Sequence, residues 1–215
     1  MRSLGRLVRG LSALFWGLPV AFLVCVYTAK AETLRYFGIL PPLAGNGMLV
    51  FGLWALGGFQ RQERIWRSAL DRARVLGLVN FGLSPFLYWS NKIPGNQFFL
   101  VMVMLMAFCG LLLLGALNLM LQRLSAMLPD ETLRLETNQF TAVNLNLLGI
   151  TILCAAAYVA VIQFGLVKVE DLPRWLAERD SLWLLTPLVL LPLAMTMALL
   201  WKTKEVILDN VFGPK

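Results

Sequence analysis

Residues 98–121 read FFLVMVMLMAFCGLLLLGALNLML and contain no charged side chain. A helix of about 20 mainly apolar residues crosses the roughly 30 Å hydrocarbon core of a bilayer, so this stretch predicts a transmembrane helix. Five other uncharged windows have a similar composition, which predicts a protein that crosses the membrane several times. The six predicted spans are residues 11–29, 38–59, 75–91, 98–121, 140–166 and 183–201.

The composition of the whole chain agrees with this interpretation. Of its 215 residues, 59% are hydrophobic, and the mean hydropathy is +0.72. Soluble domains are about 45–50% apolar, so water is not the main solvent of this chain. We therefore expect one all-α, polytopic transmembrane domain that covers residues 1–215.

Lys and Arg residues are concentrated in alternate gaps between the predicted spans. The N-terminal tail, residues 60–74, residues 122–139 and the C-terminal tail hold 13 of the 19 Lys and Arg residues. Cytoplasmic loops retain the excess of Lys and Arg, so both termini are predicted to be cytoplasmic, an arrangement that six spans satisfy. The expected location is a bacterial inner membrane. The net charge of +7 is interpreted as a topological signal and as contact with anionic lipid, without any nucleic acid partner.

The first span allows a second interpretation. Basic residues at positions 2–9 precede an apolar stretch that ends at Ala29-Lys30-Ala31, which resembles a secretory signal with a small-x-small cleavage site. The apolar run is long for a signal, and Lys30 lies inside the site. An uncleaved first span is therefore favoured.

Three segments between the spans have a character of their own. Residues 60–74 predict an amphipathic cytoplasmic helix whose apolar side lies among lipid headgroups, with docking on a partner protein as the alternative. Residues 122–139 form a cytoplasmic loop in which Asp130 and Glu131 predict a helix start. Residues 170–180 predict a short interfacial helix on the opposite side. The candidate lipid-headgroup contacts are the arginines of the amphipathic segment: Arg61, Arg64, Arg67, Arg72 and Arg74.

A weak internal repeat predicts three successive helical hairpins. Gln60-Arg61 recurs as Gln122-Arg123, and Val79-Asn80 recurs as Val143-Asn144. Each hairpin would be entered from a basic cytoplasmic segment, and such repeats are frequent in membrane transport folds. Chance matches of common residues are the alternative.

Four amides occur at similar predicted depth in the third, fourth and fifth spans: Asn80, Asn118, Asn144 and Asn146. An amide in hydrocarbon is costly unless it is hydrogen-bonded, so these side chains should face one another or a watery cavity. Hydrogen bonds that hold helices together are the favoured interpretation of this polar layer. A site for a neutral solute is the alternative.

Small residues recur on one face of the first span. Ala13, Gly17 and Ala21 are spaced four residues apart, which allows a second helix to approach closely and predicts a helix-packing seam. The second span opens with Pro41-Pro42 and contains Gly45-Asn46-Gly47. We expect its outer portion to be bent or partly unwound, as in the broken helices of transporters.

The chain contains no histidine, and its predicted spans contain no charged residue. This excludes the usual forms of His-Glu-x-x-His zinc proteolysis, Ser-His hydrolysis and His-ligated haem. Cys25, Cys109 and Cys154 lie inside predicted spans without paired spacing, which argues against a disulfide framework or a metal site. No catalytic, cofactor-binding or metal-ligating residue is predicted, and no cofactor is expected.

Three classes of function remain. The first is a non-enzymatic membrane component that packs with or anchors partner proteins, or forms a homo-oligomer. The second is a transporter or channel subunit for a neutral or amphiphilic solute, and the third, with least support, is a membrane enzyme that uses surface carboxylates. Amides bonded from helix to helix around a dry core favour the first class, whereas amides facing a continuous cavity favour transport.

Overall fold

The structure is a computed structural model that describes residues 2–30, 37–59, 63–128, 130–164 and 182–212. Arg61 and the predicted interfacial helix at residues 170–180 lie outside the described residues.

The described residues form helices and no strands, and 92% of them are helical. This confirms the all-α fold class that the sequence predicts. The helices are α1 (Arg2–Lys30), α2 (Leu40–Leu56), α3 (Arg64–Leu83), α4 (Pro85–Lys92), α5 (Gln97–Ala126), α6 (Glu131–Phe164) and α7 (Leu182–Phe212).

Within the part of the chain that the structure describes, three helices are long and apolar enough to cross a membrane. They are Leu4–Ala29 within α1, Gln97–Ala126 in α5 and Glu131–Ala157 within α6, with mean hydropathies of 1.9, 2.7 and 1.8. α2 is a shorter apolar helix of 17 residues. These lengths and compositions are those of a membrane protein, as the sequence predicts.

The described helices pack against one another in pairs. α1 packs on α2, α3 packs on α5, and α6 packs on α7. α2 contacts α3, and α7 contacts both α5 and α1, so α1, α2, α3, α5 and α7 form a closed ring. α6 lies outside this ring, against α5 and α7. The core inside the ring is rich in fully buried leucines, such as Leu11, Leu53, Leu117 and Leu200.

The predicted third span, residues 75–91, is divided between α3 and α4. Pro85 begins α4 and has no N–H to donate to the Phe81 carbonyl oxygen. The Ser84 hydroxyl donates to that oxygen instead, at 2.7 Å. The chain therefore turns at Ser84 without leaving the Phe81 carbonyl unpaired.

The apolar side of the amphipathic segment faces protein. Trp66, Leu70 and Ala73 are at most 2% exposed and belong to the same core as α1 and α5. The expectation that this side lies among headgroups is wrong for these three residues. α3 continues from Arg64 into the bundle as one helix, so its apolar face packs on the neighbouring helices from its first turn onward.

α2 is a continuous helix, although the sequence predicts a partly unwound outer portion. Pro41 and Pro42 occupy its first turn, where backbone N–H groups have no intrahelical acceptor and proline is tolerated. Asn46 donates to the Pro42 carbonyl oxygen at 2.9 Å. The expected unwinding is wrong because both prolines lie in the first turn, before Leu43, whose N–H donates to the Ile39 carbonyl oxygen.

α6 begins at Glu131, as the sequence predicts, with Asp130 as its N-cap. Asp130 Oδ1 accepts hydrogen bonds from Thr132 N at 2.9 Å, Thr132 Oγ1 at 2.6 Å and Leu133 N at 3.1 Å. The bond from the Thr132 hydroxyl is the largest cause that lowers the pKa of Asp130 below its ordinary value of 3.8, followed by the bond from Leu133 N.

Candidate functional site

Two predicted amides meet at the contact of three helices. Asn118 of α5 and Asn144 of α6 lie beside Thr196 of α7, and all three side chains are fully buried. Asn144 Nδ2 donates to Asn118 Oδ1 at 3.1 Å and to Thr196 Oγ1 at 3.0 Å, and Asn118 Nδ2 donates to Thr196 Oγ1 at 2.8 Å. We call Asn118, Asn144 and Thr196 the amide cluster.

The amide cluster uses nearly all of its hydrogen-bonding capacity. The Thr196 hydroxyl donates to the Pro192 carbonyl oxygen at 2.7 Å and accepts from both amides, which fills its one donor and two acceptor positions. Asn118 Nδ2 completes its second bond with the Leu114 carbonyl oxygen at 2.8 Å. Among the described residues, Asn144 Oδ1 is the one atom of the cluster without a partner. Such a network joins three helices and leaves one acceptor unused.

The other two predicted amides do not join this cluster. Asn80 of α3 is 5% exposed, and a Cβ at Gly110 of α5 would lie 3.4 Å from its Nδ2. Its Oδ1 has no hydrogen-bond partner among the described residues. Asn146 is exposed on α6. It points away from the cluster because residues two positions apart in a helix do not share a face.

α7 contributes two features that the sequence prediction missed. Thr196 completes the amide cluster, and Pro192 leaves the Leu188 carbonyl oxygen without an intrahelical donor. Thr151 Oγ1 of α6 lies 3.3 Å from that oxygen, while it also donates to the Leu147 carbonyl oxygen at 2.8 Å. The sequence alone predicts only that the Thr196 hydroxyl can donate to the Pro192 carbonyl oxygen of its own helix, and it gives no sign of the two amides.

The predicted small-residue seam lies between α1 and α2. Gly17 and Ala21 are buried there, and Ala13 is half-buried. A Cβ at Gly17 would lie 3.0 Å from Leu49 Cδ2, and a Cβ at Gly45 would lie 3.0 Å from the Ala21 Cα. The helices therefore approach to backbone contact at Ala21.

The seam extends beyond the predicted residues towards the N-terminus of α1. A Cβ at Gly10 would lie 3.0 Å from the Gly52 carbonyl oxygen, and a Cβ at Gly52 would lie 3.2 Å from the Gly10 carbonyl oxygen. Gly10 pairs with Gly52 and Ala21 pairs with Gly45, so α1 and α2 are antiparallel. Glycine is required at positions 10, 45 and 52 because a side chain there would meet the backbone of the other helix.

The predicted headgroup arginines fall into two groups. Arg64, Arg67 and Arg72 are exposed on α3. Arg74 is half-buried, and its Nε donates to the Leu53 carbonyl oxygen at 3.2 Å.

Arg74 also contacts the last turn of α2 in two further ways. Its Nη2 donates to the Trp54 carbonyl oxygen at 3.4 Å, and its guanidinium lies 5.5 Å from the centroid of the Trp54 ring. Its Nη1 pairs with Asp71 at 3.2 Å. A cation that bonds the last carbonyls of a helix complements the helix dipole, so Arg74 acts as a C-terminal cap for α2.

The N-termini of α1 and α3 and the C-terminus of α2 surround a cavity of about 490 Å³. We call it the basic cavity, because three arginines from two helices line it and no carboxylate of the described residues does. Its lining residues are Arg6, Trp54, Ala55, Gly57, Gly58, Phe59, Trp66, Arg67, Leu70 and Arg74.

Two consecutive glycines make room for the arginines of the basic cavity. A Cβ at Gly57 would overlap the Arg74 guanidinium, and a Cβ at Gly58 would lie 3.4 Å from the Arg6 Cζ and Nη1. Trp66 forms part of the wall, is 1% exposed, and has an Nε1 without a hydrogen-bond partner among the described residues. Arg6 and Trp66 were not among the predicted contacts.

Comparison with known proteins gives no similarity on which to assign a function. No protein-family model, no curated protein and no solved structure matches the chain. Among the described residues, no three His, Cys, Asp or Glu side chains are grouped so that they could hold a metal ion.

Proposed function

We propose that this chain is a non-enzymatic, multi-pass component of a bacterial inner membrane that packs with partner proteins through its α6 helix. The proposed topology has six spans, formed by α1, α2, α3 with α4, α5, α6 and α7. Both termini are cytoplasmic in this arrangement. The spans would pair as three successive hairpins, α1–α2, α3/α4–α5 and α6–α7.

The contacts at helix ends support this topology. Arg6 near the start of α1 and Arg67 near the start of α3 line the same cavity as the end of α2. Lys202 of α7 pairs with Glu136 near the start of α6. One end of the bundle therefore collects basic residues from several helices, as the cytoplasmic side of a membrane protein does.

Aromatic residues collect near the start of α5, at the opposite end. Trp89 of α4 stacks on Phe99 of α5 with ring centroids 6.4 Å apart, and Phe86 lies 5.9 Å from Phe98. Lys92 lies 5.5 Å from the centroid of the Trp89 ring. Aromatic rings with a neighbouring cation are typical of a membrane–water interface, which supports a second boundary there.

The interior supports a structural role for the buried amides. The amide cluster is fully buried, and its bonds run from helix to helix. Each such bond stabilises helix association in lipid by about 0.6 kcal/mol on average. Packing of the chain with itself explains this geometry without any solute.

The outer face of α6 is the surface on which we expect a partner protein to bind. Ala142, Asn146 and Gly149 are exposed and follow a spacing that places them on one face of the helix. A Cβ at Gly149 would have no atom within 4 Å. An unbonded amide facing hydrocarbon is costly, and Ala, Asn and Gly are among the residues that pack helices together in membranes. A helix of another protein would give Asn146 its partner and would use the space above Gly149.

Purification of the full chain from native membranes in mild detergent, with mass spectrometry of everything that stays bound, tests this function. We expect a stoichiometric protein partner or a second copy of the chain. Gly149→Leu fills the space above the glycine and Asn146→Leu removes the amide, so both variants should lose that partner. Phe140→Leu is the matched control, because Phe140 is exposed on α6 and lies outside this face, so this variant should keep the partner. A wild-type chain that elutes alone as a monomer contradicts the proposal.

A transporter subunit for a neutral or amphiphilic solute is the second candidate. Four buried polar atoms without a partner among the described residues favour it: Asn80 Oδ1, Thr137 Oγ1, Thr141 Oγ1 and Asn144 Oδ1. Such atoms are where water or a polar solute would bind. If Asn80→Leu abolishes uptake of uncharged solutes into vesicles and leaves the free energy of unfolding unchanged, transport replaces the first proposal.

A further inference from the structure

The basic cavity contains more positive charge than the described residues neutralise. The side chains of Arg6 and Arg67 form no hydrogen bond or ion pair with a described residue. Arg74 has one carboxylate partner, Asp71, which lies outside the lining of the cavity. Positive charges that line one cavity repel each other, and a bound anion would relieve that repulsion.

The walls of the basic cavity are suited to a group that is both charged and attached to an apolar body. Trp54, Phe59 and Leu70 provide apolar surface next to the arginines. Gly57 and Gly58 keep the backbone free of side chains where the Arg74 and Arg6 guanidinium groups lie. Guanidinium groups match the geometry of phosphate oxygens and bind them in a bidentate manner.

We propose that the basic cavity is a binding site for a phosphate group, held by Arg6, Arg67 and Arg74. The phosphate can belong to the headgroup of an anionic phospholipid or to a free phosphate ion. This site does not depend on the proposed function, because a phosphate group binds here whether or not α6 has a protein partner. Loss of partners from the Gly149→Leu variant would leave it unchanged.

Native mass spectrometry of the purified full chain in a neutral detergent tests the site. Phosphatidylglycerol, phosphatidylcholine and inorganic phosphate are the three probes. We expect bound phosphatidylglycerol in excess of phosphatidylcholine, or direct binding of inorganic phosphate. Phosphatidylglycerol that inorganic phosphate does not displace assigns the site to a lipid headgroup, and saturable binding of inorganic phosphate alone assigns it to the free ion.

Paired substitutions separate the cavity from general surface charge. Arg6→Gln with Arg67→Gln removes two cavity arginines, and Arg64→Gln with Arg72→Gln removes two exposed arginines of α3 outside the cavity. The cavity pair should weaken binding by at least about tenfold, and the control pair should change it little. Equal losses in both pairs would overturn the site, because they indicate general attraction to a basic surface.

A third variant keeps the test decisive if the cavity pair fails to fold. Arg67→Gln changes one exposed side chain that bonds to no described residue, so the fold should be kept. We expect about fivefold weaker binding of the same probe, from the loss of one charged hydrogen-bond donor. Wild-type protein that binds phosphatidylglycerol and phosphatidylcholine equally, and binds no inorganic phosphate, would refute the proposal.

Discussion

The bonds of the amide cluster converge on Thr196. Loss of its hydroxyl should therefore lower the free energy of unfolding of the purified chain by a measurable amount. Thr196→Val keeps the shape of the side chain and removes two acceptor positions and one donor. One N–H of Asn118 is then left buried without an acceptor. We expect a loss of about 1 to 2 kcal/mol in the free energy of unfolding, measured by denaturant titration in detergent.

The control for this prediction is the same chemical change at a second buried threonine of α7. Thr203 is 0% exposed, and its hydroxyl donates to the Leu199 carbonyl oxygen of its own helix at 2.7 Å. Thr203→Val removes no bond between helices and leaves no side-chain donor unpaired. It should therefore change the free energy of unfolding by less than about 0.5 kcal/mol. If both valine variants unfold at the wild-type denaturant concentration, the amide cluster does not hold the three helices together.

Asp130 gives a prediction about pH at the residue scale. Hydrogen bonds from the Thr132 hydroxyl and the first turn of α6 lower its pKa below 3.8. A carboxylate with a lowered folded-state pKa contributes stability that is present above its unfolded pKa and is lost as pH falls through its folded pKa. The protection of the first turn of α6 against hydrogen exchange, relative to the unfolded chain, should therefore stay constant near neutral pH and should fall as the pH drops from 3.8 towards the lowered folded-state pKa.

A pair of substitutions checks this interpretation of Asp130. Asp130→Asn keeps a capping oxygen and removes the charge, so the first turn of α6 should stay protected and lose its acid sensitivity. Asp130→Ala removes the cap and should expose the first turn to exchange at every pH. Equal protection in all three proteins would show that the cap does not hold α6.

The sequence could predict the role of a single residue where that residue type has few possible roles in its surroundings. Amides inside uncharged spans are rare enough that Asn118 and Asn144 were expected to find each other or a cavity, and the structure brings them together. Thr196 was missed because a threonine hydroxyl in a helix can donate to a carbonyl oxygen of the same helix. The sequence therefore gives no sign that this hydroxyl also accepts hydrogen bonds from two other helices. Asn146 was grouped with the others because predicted depth alone does not distinguish helix faces.

At the scale of the helices, the α1–α2 contact is the one most sensitive to added volume. A Cβ at Gly45 would lie 3.0 Å from the Ala21 Cα, and backbone cannot move aside as a flexible side chain can. Gly45→Ala should therefore push the helices apart and destabilise the purified chain by about 1 to 3 kcal/mol. Thermal unfolding in detergent measures this loss.

Gly82→Ala is the matched control for Gly45→Ala. Gly82 lies in α3, and a Cβ there would meet no atom within 4 Å. Alanine favours a helix over glycine by about 1 kcal/mol, so this variant should be as stable as the wild type or more stable. If Gly45→Ala behaves like Gly82→Ala, α1 and α2 do not pack through glycine in the purified protein.

The sequence predicted which segments are helices better than it predicted where each helix ends or which surface covers its apolar face. Long uncharged runs leave few alternatives to a spanning helix, and Asp130 marked the start of α6. The boundary at Ser84 was missed because Pro85 lies inside an apolar window, where hydropathy outweighs the effect of one proline. The amphipathic pattern of residues 60–74 was recognised, but periodicity gives the apolar face and not the surface that covers it.

For the molecule as a whole, the sequence predicts which segments are helices and leaves open which helices touch. The contact of α7 with α1 closes the ring, and it depends on pairs such as Phe15 and Trp201, whose ring centroids are 5.3 Å apart. Such pairs are distant in the sequence and have no local signature. The position of α6 outside the ring, on which the proposed function depends, became visible only from the packed helices.

The proposed topology makes the last prediction, which concerns the whole chain. Six spans place the N-terminus and the C-terminus on the same side of the membrane, and the basic end of the bundle places that side in the cytoplasm. A fluorescent protein that folds only in the cytoplasm should therefore be bright when fused to either end, and an alkaline phosphatase that is active only in the periplasm should be inactive at both.

Because α2 is only 17 residues long, it is the span that would most easily fail to cross. Its loss would leave five spans and put the termini on opposite sides of the membrane. A bright N-terminal fusion together with an active C-terminal phosphatase would be that result. It would contradict the six-span topology and would place Lys202 and Glu136 in the periplasm.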